Sequence, residues 1–319
     1  YNPYTLNVNS LNYQNRQEAN VSGYWDWTPL KGLTGRIDYA VNYYNQFRYN
    51  AAIPNTAYNF QTGSFGSRVY VGANAGIGNY TNTGYKTLLN GRLNYQRTFG
   101  KGHDVAAMFA YSEEFWYDRY QSGTRLDRLH SSLHELDAAL QGTMTAGGNS
   151  STEGLRSYIG RLNYTAFDKY IFEANFRYDG SSKFLPGHRY GFFPSASLGW
   201  RFTEESFVKQ YTDSWLTNGK FRLSYGGLGN NSGVSRYEQQ ETLAEGHYMI
   251  GGVITKGLVN SKMVNKDLSW ETSYVMNIGL DLGFLNNRLS TELDYYDRLT
   301  TGMNRPSEMS ILLTGAYNA

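Results

Sequence analysis

Cysteine does not occur among the 319 residues. Its absence removes disulfides, thiolate zinc sites and cysteine nucleophiles, and suits an envelope protein that never depends on oxidation. Proline is scarce, at 6 residues, so neither a disordered nor a collagen-like chain fits. Charge is thin: Asp, Glu, Lys and Arg make up 18%, against about 25% in ordinary soluble proteins. The net charge of +2 leaves no basic footprint for nucleic acid. No apolar run approaches the roughly 20 residues of a spanning helix, and no signal peptide opens at Tyr1.

Aromatic residues, by contrast, reach 16%, with 29 Tyr, 16 Phe and 6 Trp, beside 35 Gly. They recur with a period of two. In "FEANFRYDG" the residues Phe172, Ala174, Phe176 and Tyr178 oppose Glu173, Asn175, Arg177 and Asp179. Tyr274, Met276, Ile278, Leu280, Leu282 and Phe284 likewise oppose Ser273, Asn277, Gly279, Asp281 and Gly283. A period of two means β-strand, because successive side chains point to opposite faces. The same pattern runs through Ala19–Trp27, Ile37–Tyr43, Leu89–Tyr95, Val105–Tyr111, Tyr158–Tyr164, Ala196–Phe202, Phe221–Tyr225 and Leu289–Tyr295. About ten strands result, each long enough to cross a bilayer at a tilt.

The connections alternate in length. "PLKG", "FGKGH", "AFDK" and "FLNN" read as tight turns, and "TEESFVKQYTDSW" as a longer one holding a helical turn. Long polar loops are expected over 50–82, 118–153, 180–190 and 230–268. Short turns on one side and long loops on the other is the layout of an outer-membrane barrel. Trp25, Trp27, Phe99, Tyr170, Phe172, Trp200, Phe202 and Phe284 sit beside the short turns. Tyr43, Tyr111, Tyr178, Tyr274 and Tyr295 sit toward the long loops. These are the two aromatic girdles a barrel places at its membrane interfaces. A soluble β-sandwich would also alternate, but with strands of about 5–6 residues and no segregation of loop lengths. The fold class expected is all-β, an antiparallel transmembrane barrel.

The blocks "FRYDGSSKF", "RYGFFPSASLGWRFTEESFVK", "KFRLSYGGLGNN" and "DLSWETSYVMNIGLDLGFLNNRLSTELDYYDR" resemble, in order and spacing, signatures of the SusC-like TonB-dependent transporters of Bacteroidota. The resemblance is strong from about Gly154 to Met303 and weaker from Arg16 to Gly123. It implies an outer-membrane importer of oligosaccharides working with a SusD-like surface lipoprotein, with oligopeptides as the alternative substrate. A passive porin and a small outer-membrane barrel enzyme remain further alternatives. It also implies that residues 1–319 are part of a single barrel domain of about 22 strands, without the plug and N-terminal domains, which the TonB complex would act through. The ending "TGAYNA" lacks a terminal aromatic residue, which fits an internal piece. The turns "AFDK" and "FLNN" would be periplasmic, and the loops after "YDG" and "GLGN" extracellular.

No catalytic constellation stands out, and neither an enzyme nor a cofactor is expected. His130 and His134 are spaced i, i+4, as metal ligands on a helix can be. Leu126, Leu129, Leu133, Leu136 and Leu140 repeat helically through that loop, so the histidines read as flanks of a short amphipathic helix and no metal is expected. The Gly-rich "GGLGNNSGVS" and "TAGGNSSTEG" lack the setting of a phosphate loop. Arg161, Glu173, Arg177, Asp179, Arg201, Arg222, Asp281, Glu292 and Asp294 are expected to face the lumen or plug, with outer-membrane lipid against the other face. Phe115, Trp116, Tyr117, Tyr120 and Tyr237 are the candidate stacking platforms for substrate.

Overall fold

The computed structural model describes residues 10–52, 55–59, 61–69, 76–100, 102–128, 133–212, 215–260, 262–305 and 317–318. Among the described residues sixteen strands follow in order: β1 (Ser10–Leu30), β2 (Leu33–Ala52), β3 (Asn55–Asn59), β4 (Ser64–Val69), β5 (Gly76–Phe99), β6 (His103–Leu126), β7 (Thr145–Ala166) and β8 (Tyr170–Ser181). Then come β9 (Tyr190–Trp200), helix α1 (Ser206–Thr212), β10 (Leu216–Asn230), β11 (Leu243–Ile250), β12 (Val253–Asn260), β13 (Lys262–Met263), β14 (Glu271–Phe284), β15 (Leu289–Thr301) and β16 (Tyr317–Asn318). Ten of them form one sheet in the order β1-β2-β5-β6-β7-β8-β9-β10-β14-β15. The chain forms two compact units. One comprises Tyr1–Ser22, Ala40–Thr87 and Phe115–Thr152; the other comprises Gly23–Tyr39, Leu88–Glu114 and Glu153–Ala319.

The second unit shows why the alternation exists. Its register sets Tyr164 opposite Phe172, Phe172 opposite Leu198, Leu198 opposite Leu223, Leu223 opposite Ile278, and Ile278 opposite Tyr295. One residue along, Asn163, Glu173, Ser197, Ser224, Asn277 and Tyr296 form the neighbouring row. A one-residue slip would mix the rows, so the side-chain pattern specifies the register. The apolar rows are uncovered: Leu198, Tyr225 and Leu293 are each more than half exposed. A water-soluble sandwich would cover such a face with a second sheet, yet Phe184, Phe193, Leu216, Val234 and Ala166 are the buried apolar side chains described in this unit. An apolar face of this extent needs a solvent other than water.

The tight turns expected at "AFDK" and "FLNN" are present. Phe167 and Asp168 have φ of 54° and 57°, and Leu285, Asn286 and Asn287 have 54°, 57° and 60°. Successive positive φ values match the right-handed twist of hairpin strands. Gly32 turns "PLKG" at φ 85°, and Gly100 and Gly102 flank the β5–β6 turn, whose Lys101 lies outside the described residues.

Two expectations are corrected. The loop placed at 118–153 is largely strand, since β6 continues to Leu126 and β7 begins at Thr145; β5 likewise starts inside the loop placed at 50–82. These extensions, such as "DRYQSGTRL" and "TAGGNSSTE", have no apolar parity, so period-two reading fails on them. The loops 50–82 and 230–268 also hold the hairpins β3–β4 and β11–β12.

The leucine repeat does not form a helix in its described part. Leu126 ends β6, and Leu136–Ala138 and Gln141–Thr143 are 3-10 turns; Leu129 and His130 lie outside the described residues. Leu136 and Ala138 pack on Tyr49, Ala51 and Ile77, the buried cluster of the first unit. Tertiary packing on those strands, with Arg125 donating to the carbonyl of Leu136 at 3.3 Å and to Asp137 at 2.8 Å, outweighs the local periodicity.

Candidate substrate-facing wall

In the second unit the polar rows carry a chain of charge pairs. Arg222 on β10 donates from Nε and Nη2 to Asp281 on β14 at 2.7–2.9 Å. The same guanidinium reaches Asp294 on β15 at 3.2 Å. Gly279 lies between Arg222 and Asp294 in the register. A Cβ there would press on both side chains, so glycine opens the space in which the triad forms. Lys220 and Glu292 stand directly opposite Asp281 on its two sides, so Arg222 and Lys220 share a polar row with three carboxylates. On β8, Arg177 donates to Asp179 at 3.1 Å, and Asp179 is buried at 7% exposure. Arg161 donates to Asn175 at 2.8 Å, and Asn175 donates to Glu173 at 2.7 Å. Eight of the nine expected wall residues therefore lie on strands in the polar rows. Arg201 does not. It lies in the connection after β9, where its backbone N–H donates to the Lys169 carbonyl at 2.9 Å and its guanidinium to the Asp168 carbonyl at 3.2 Å. The alternation ends with Trp200, so parity could not place the next residue.

In the first unit, β6 presents its aromatic residues on both faces. Tyr85 of β5 stacks on Tyr117 at 5.4 Å and touches Phe115 at 6.1 Å. All three have the parity of Leu89 and Leu93 or of Val105 and Phe109 along their strands. Trp116 and Tyr120 have the polar parity. The Lys86 ammonium sits 4.8 Å over the Trp116 ring. Arg16 lies 4.7 Å over Tyr44, and Arg48 4.4 Å over Tyr80, while the Tyr44 hydroxyl donates to Asp118. A Cβ at Gly84 would strike the Tyr44 ring, so glycine lets that ring lie flat along the sheet. These three cation–π pairs, each worth about 0.5–1 kcal/mol when exposed, belong to the polar parity of β1, β2, β5 and β6. The expected platform set therefore divides: Trp116 and Tyr120 share this face, and Phe115 and Tyr117 lie on the other. Tyr237 belongs to the second unit, in the turn that closes with Gln240 N–H donating to its carbonyl at 3.0 Å. His134 approaches the Tyr49 hydroxyl at 3.4 Å. Among the described residues no three His, Asp or Glu gather as metal ligands.

Sequence reasoning missed a polar node in the second unit. Glu153 accepts from Arg236 at 2.8 Å and pairs with Lys183 at 3.6 Å. Lys183 also donates to the Asn231 carbonyl at 3.3 Å, and Asn231 donates to Ser181 at 3.1 Å. Beside it the fully buried Phe184 packs against Trp270 at 5.6 Å, and Trp270 donates to the Arg189 carbonyl at 2.8 Å. The motifs "YDGSSKF", "GGLGNN" and "DLSWE" thus converge on one clamp that ties β7, the β8–β9 loop, the β10–β11 loop and β14 together. The co-occurrence of those motifs was the available signal; their contact was not legible in one dimension.

Residues 1–303 match the family described as TonB dependent receptor-like, beta-barrel. The chain belongs to this family. It is 29% identical over 305 residues to TonB-dependent receptor P3 of Formosa agariphila, covering 92% of this chain and 28% of that receptor. It is 31% identical over 281 residues to TonB-dependent receptor SusC of Bacteroides thetaiotaomicron, covering 83% of this chain and 26% of SusC. The RagAB peptide transporter structure superposes with a TM-score of 0.84 at 23% identity, covering 99% of this chain and 33% of that one. The chain thus spans about a quarter to a third of the length of these relatives. The SusC-like character expected from the motifs is matched by a relative of that name.

A TonB-dependent receptor barrel lies in the outer membrane, which supplies the missing solvent: in such a barrel the apolar parity of the strands faces lipid and the polar parity the lumen. The aromatic girdles then follow. Tyr111, Tyr158, Tyr178 and Tyr190 form a chain of ring contacts at 5.4, 6.4 and 4.8 Å toward the long loops. Tyr170, Trp200 and Phe284 lie at the opposite ends of their strands, beside the short turns and the β9–β10 connection. The described sheet is part of the barrel, with β1 and β15 at the two ends of its order.

Proposed function

We propose that this chain forms wall and extracellular loops of a TonB-dependent importer that takes up oligosaccharides actively, together with a SusD-like surface lipoprotein. The observation that carries the reading is the two-sided sheet of a TonB-dependent receptor barrel, whose polar parity presents Trp116, Tyr44 and Tyr80 beside Lys86, Arg16 and Arg48. Aromatic faces next to charged hydrogen-bonding groups suit sugar rings, whose C–H faces stack while their hydroxyls pair. The Arg222–Asp281–Asp294 triad and its fellows hydrate the lumen and grip a plug. Energy would come from TonB pulling that plug. The likeness to a peptide transporter keeps oligopeptides as the second reading.

The test is uptake of labelled oligosaccharide and oligopeptide pools by cells carrying the full-length gene, with and without Trp116→Ala and with the proton gradient collapsed. Gradient-dependent glycan uptake that falls several-fold in W116A supports the proposal. Peptide uptake alone favours the second reading. Uptake that persists without the gradient makes the barrel a passive porin and refutes active import.

A further inference from the structure

The β9–β10 connection is out of scale with its fellows. β7 meets β8, and β14 meets β15, through turns of a few residues, whereas Arg201 to Trp215 separate β9 from β10. Both ends of this segment are fastened to the lipid-facing side of the sheet. At the first end the Phe202 ring covers Gly219, where a Cβ would collide with it. Thr203 Oγ1 accepts from the Gly219 N–H at 2.9 Å. Glu205 Oε1 accepts from the Tyr170 hydroxyl at 2.6 Å and from Trp200 Nε1 at 3.3 Å, and its Oε2 accepts from Lys169 at 3.1 Å. At the second end Trp215 stacks on Phe284 at 6.1 Å with 18° between the rings. Tyr170, Trp200, Gly219 and Phe284 all have the apolar parity of their strands.

Helix α1 runs between these fastenings. Phe207 and Tyr211, spaced i, i+4, share one of its faces. Phe207 is 60% exposed, Tyr211 75% and Trp215 50%. Val208 and Thr212 are half-buried, and Lys209, about 200° around the helix from Phe207, points away at 55% side-chain exposure.

We propose that the β9–β10 connection is an interfacial anchor: α1 lies in the plane of the periplasmic leaflet with Phe207, Tyr211 and Trp215 set into the headgroup–acyl boundary of phospholipid. The occupant is lipid because the exposed trio adjoins the girdle of Tyr170, Trp200 and Phe284: Trp215 stacks on Phe284, and Glu205, at the start of the helix, is held by Tyr170 and Trp200. Tyr and Trp favour that boundary, where one end of the ring is apolar and the other wet. A short helix with an aromatic face and a polar back is the form such anchors take. Among the described residues of the connection, Glu205 is satisfied by an ammonium, a hydroxyl and an indole N–H, and Glu204 pairs with Lys209. The anchor would fix the depth of β9 and β10 in the membrane. The proposal rests on the lipid-facing assignment of the apolar rows and is independent of what the barrel imports.

The test places nitroxide labels at F207C, Y211C, K209C and A196C, one at a time, in the full-length chain reconstituted in phospholipid bilayers. Collisions with oxygen report lipid and collisions with a water-soluble nickel chelate report water. Expected is an oxygen preference of several-fold at positions 207 and 211, as at the lipid-facing 196, with the reverse at 209. A water profile at 207 and 211 with lipid at 196 overturns the proposal alone. Exclusion of both reagents at 207 and 211 overturns it in favour of a covering protein segment. A water profile at 196 brings down the lipid-facing assignment and the anchor together.

Discussion

Ala196→Arg and Ser197→Arg differ by one position along β9 and should differ sharply in cost. Ala196 lies on the lipid-facing row between Ala174 and Tyr225. It is four residues from Trp200 and four from Phe192, so it sits near the middle of an apolar band about 25 Å tall. An arginine at the bilayer midplane of a barrel costs about 2–4 kcal/mol, and near an interface about 0–1 kcal/mol. The folding equilibrium of A196R should therefore fall by roughly 30- to 700-fold at about 1.4 kcal/mol per tenfold. Ser197 is directly opposite Glu173 and Ser224. An arginine there gains a carboxylate neighbour and stays in the wet lumen, so S197R should lie within about 0.5 kcal/mol of wild type. The assay is equilibrium denaturant unfolding of the full-length chain in lipid vesicles. S197R costing as much as A196R would refute the assignment of faces, and two neutral variants would refute lipid contact altogether.

Arg222→Ala should cost about 1–2 kcal/mol, because it removes the guanidinium that bridges Asp281 and Asp294 and leaves Lys220 as the cation opposite Asp281. Most of this should return in R222A/D281N/D294N, and a multiple-mutant cycle without coupling would sink the triad. Glu205 lies outside the strands, and its pKa is held below the ordinary carboxylate value chiefly by the Tyr170 hydroxyl and then by Lys169. Its stabilisation is therefore complete above about pH 4.3 and is lost as pH falls through the lower, folded pKa. Glu205→Gln should accordingly weaken the barrel at neutral pH and converge with wild type in acid; a gap independent of pH contradicts this. Glu153→Gln should speed amide exchange at Ser181, Ser182 and Gln240 by releasing Lys183 and Arg236, and unchanged protection there would argue against the clamp.

What was legible in the sequence follows from where a strong solvent boundary acts on consecutive residues. Between the girdles each strand meets lipid on one face and water on the other, so Phe172–Tyr178 or Tyr274–Phe284 announce their secondary structure and parity directly. The turns at "AFDK" and "FLNN" were equally plain, being local. Beyond the girdles that signal vanishes. The far ends of β5, β6 and β7 are strands without apolar parity, which is why Tyr117 and Trp116 looked alike as platforms although they belong to opposite faces.

The leucines from Leu126 to Leu140 show the opposite failure, since a helical spacing gave way to packing on Tyr49, Ala51 and Ile77. Arg201 looked like a wall residue only because parity was extended one position past the strand. By itself, then, the sequence determined the fold class, the faces of the membrane-crossing strands, and through its motifs the family. Only the tertiary structure decided which loops meet at Glu153 and Phe184, which aromatics share a face with Lys86, and which side of the sheet carries α1. Those contacts join residues far apart in the chain, and no single stretch of sequence holds both partners.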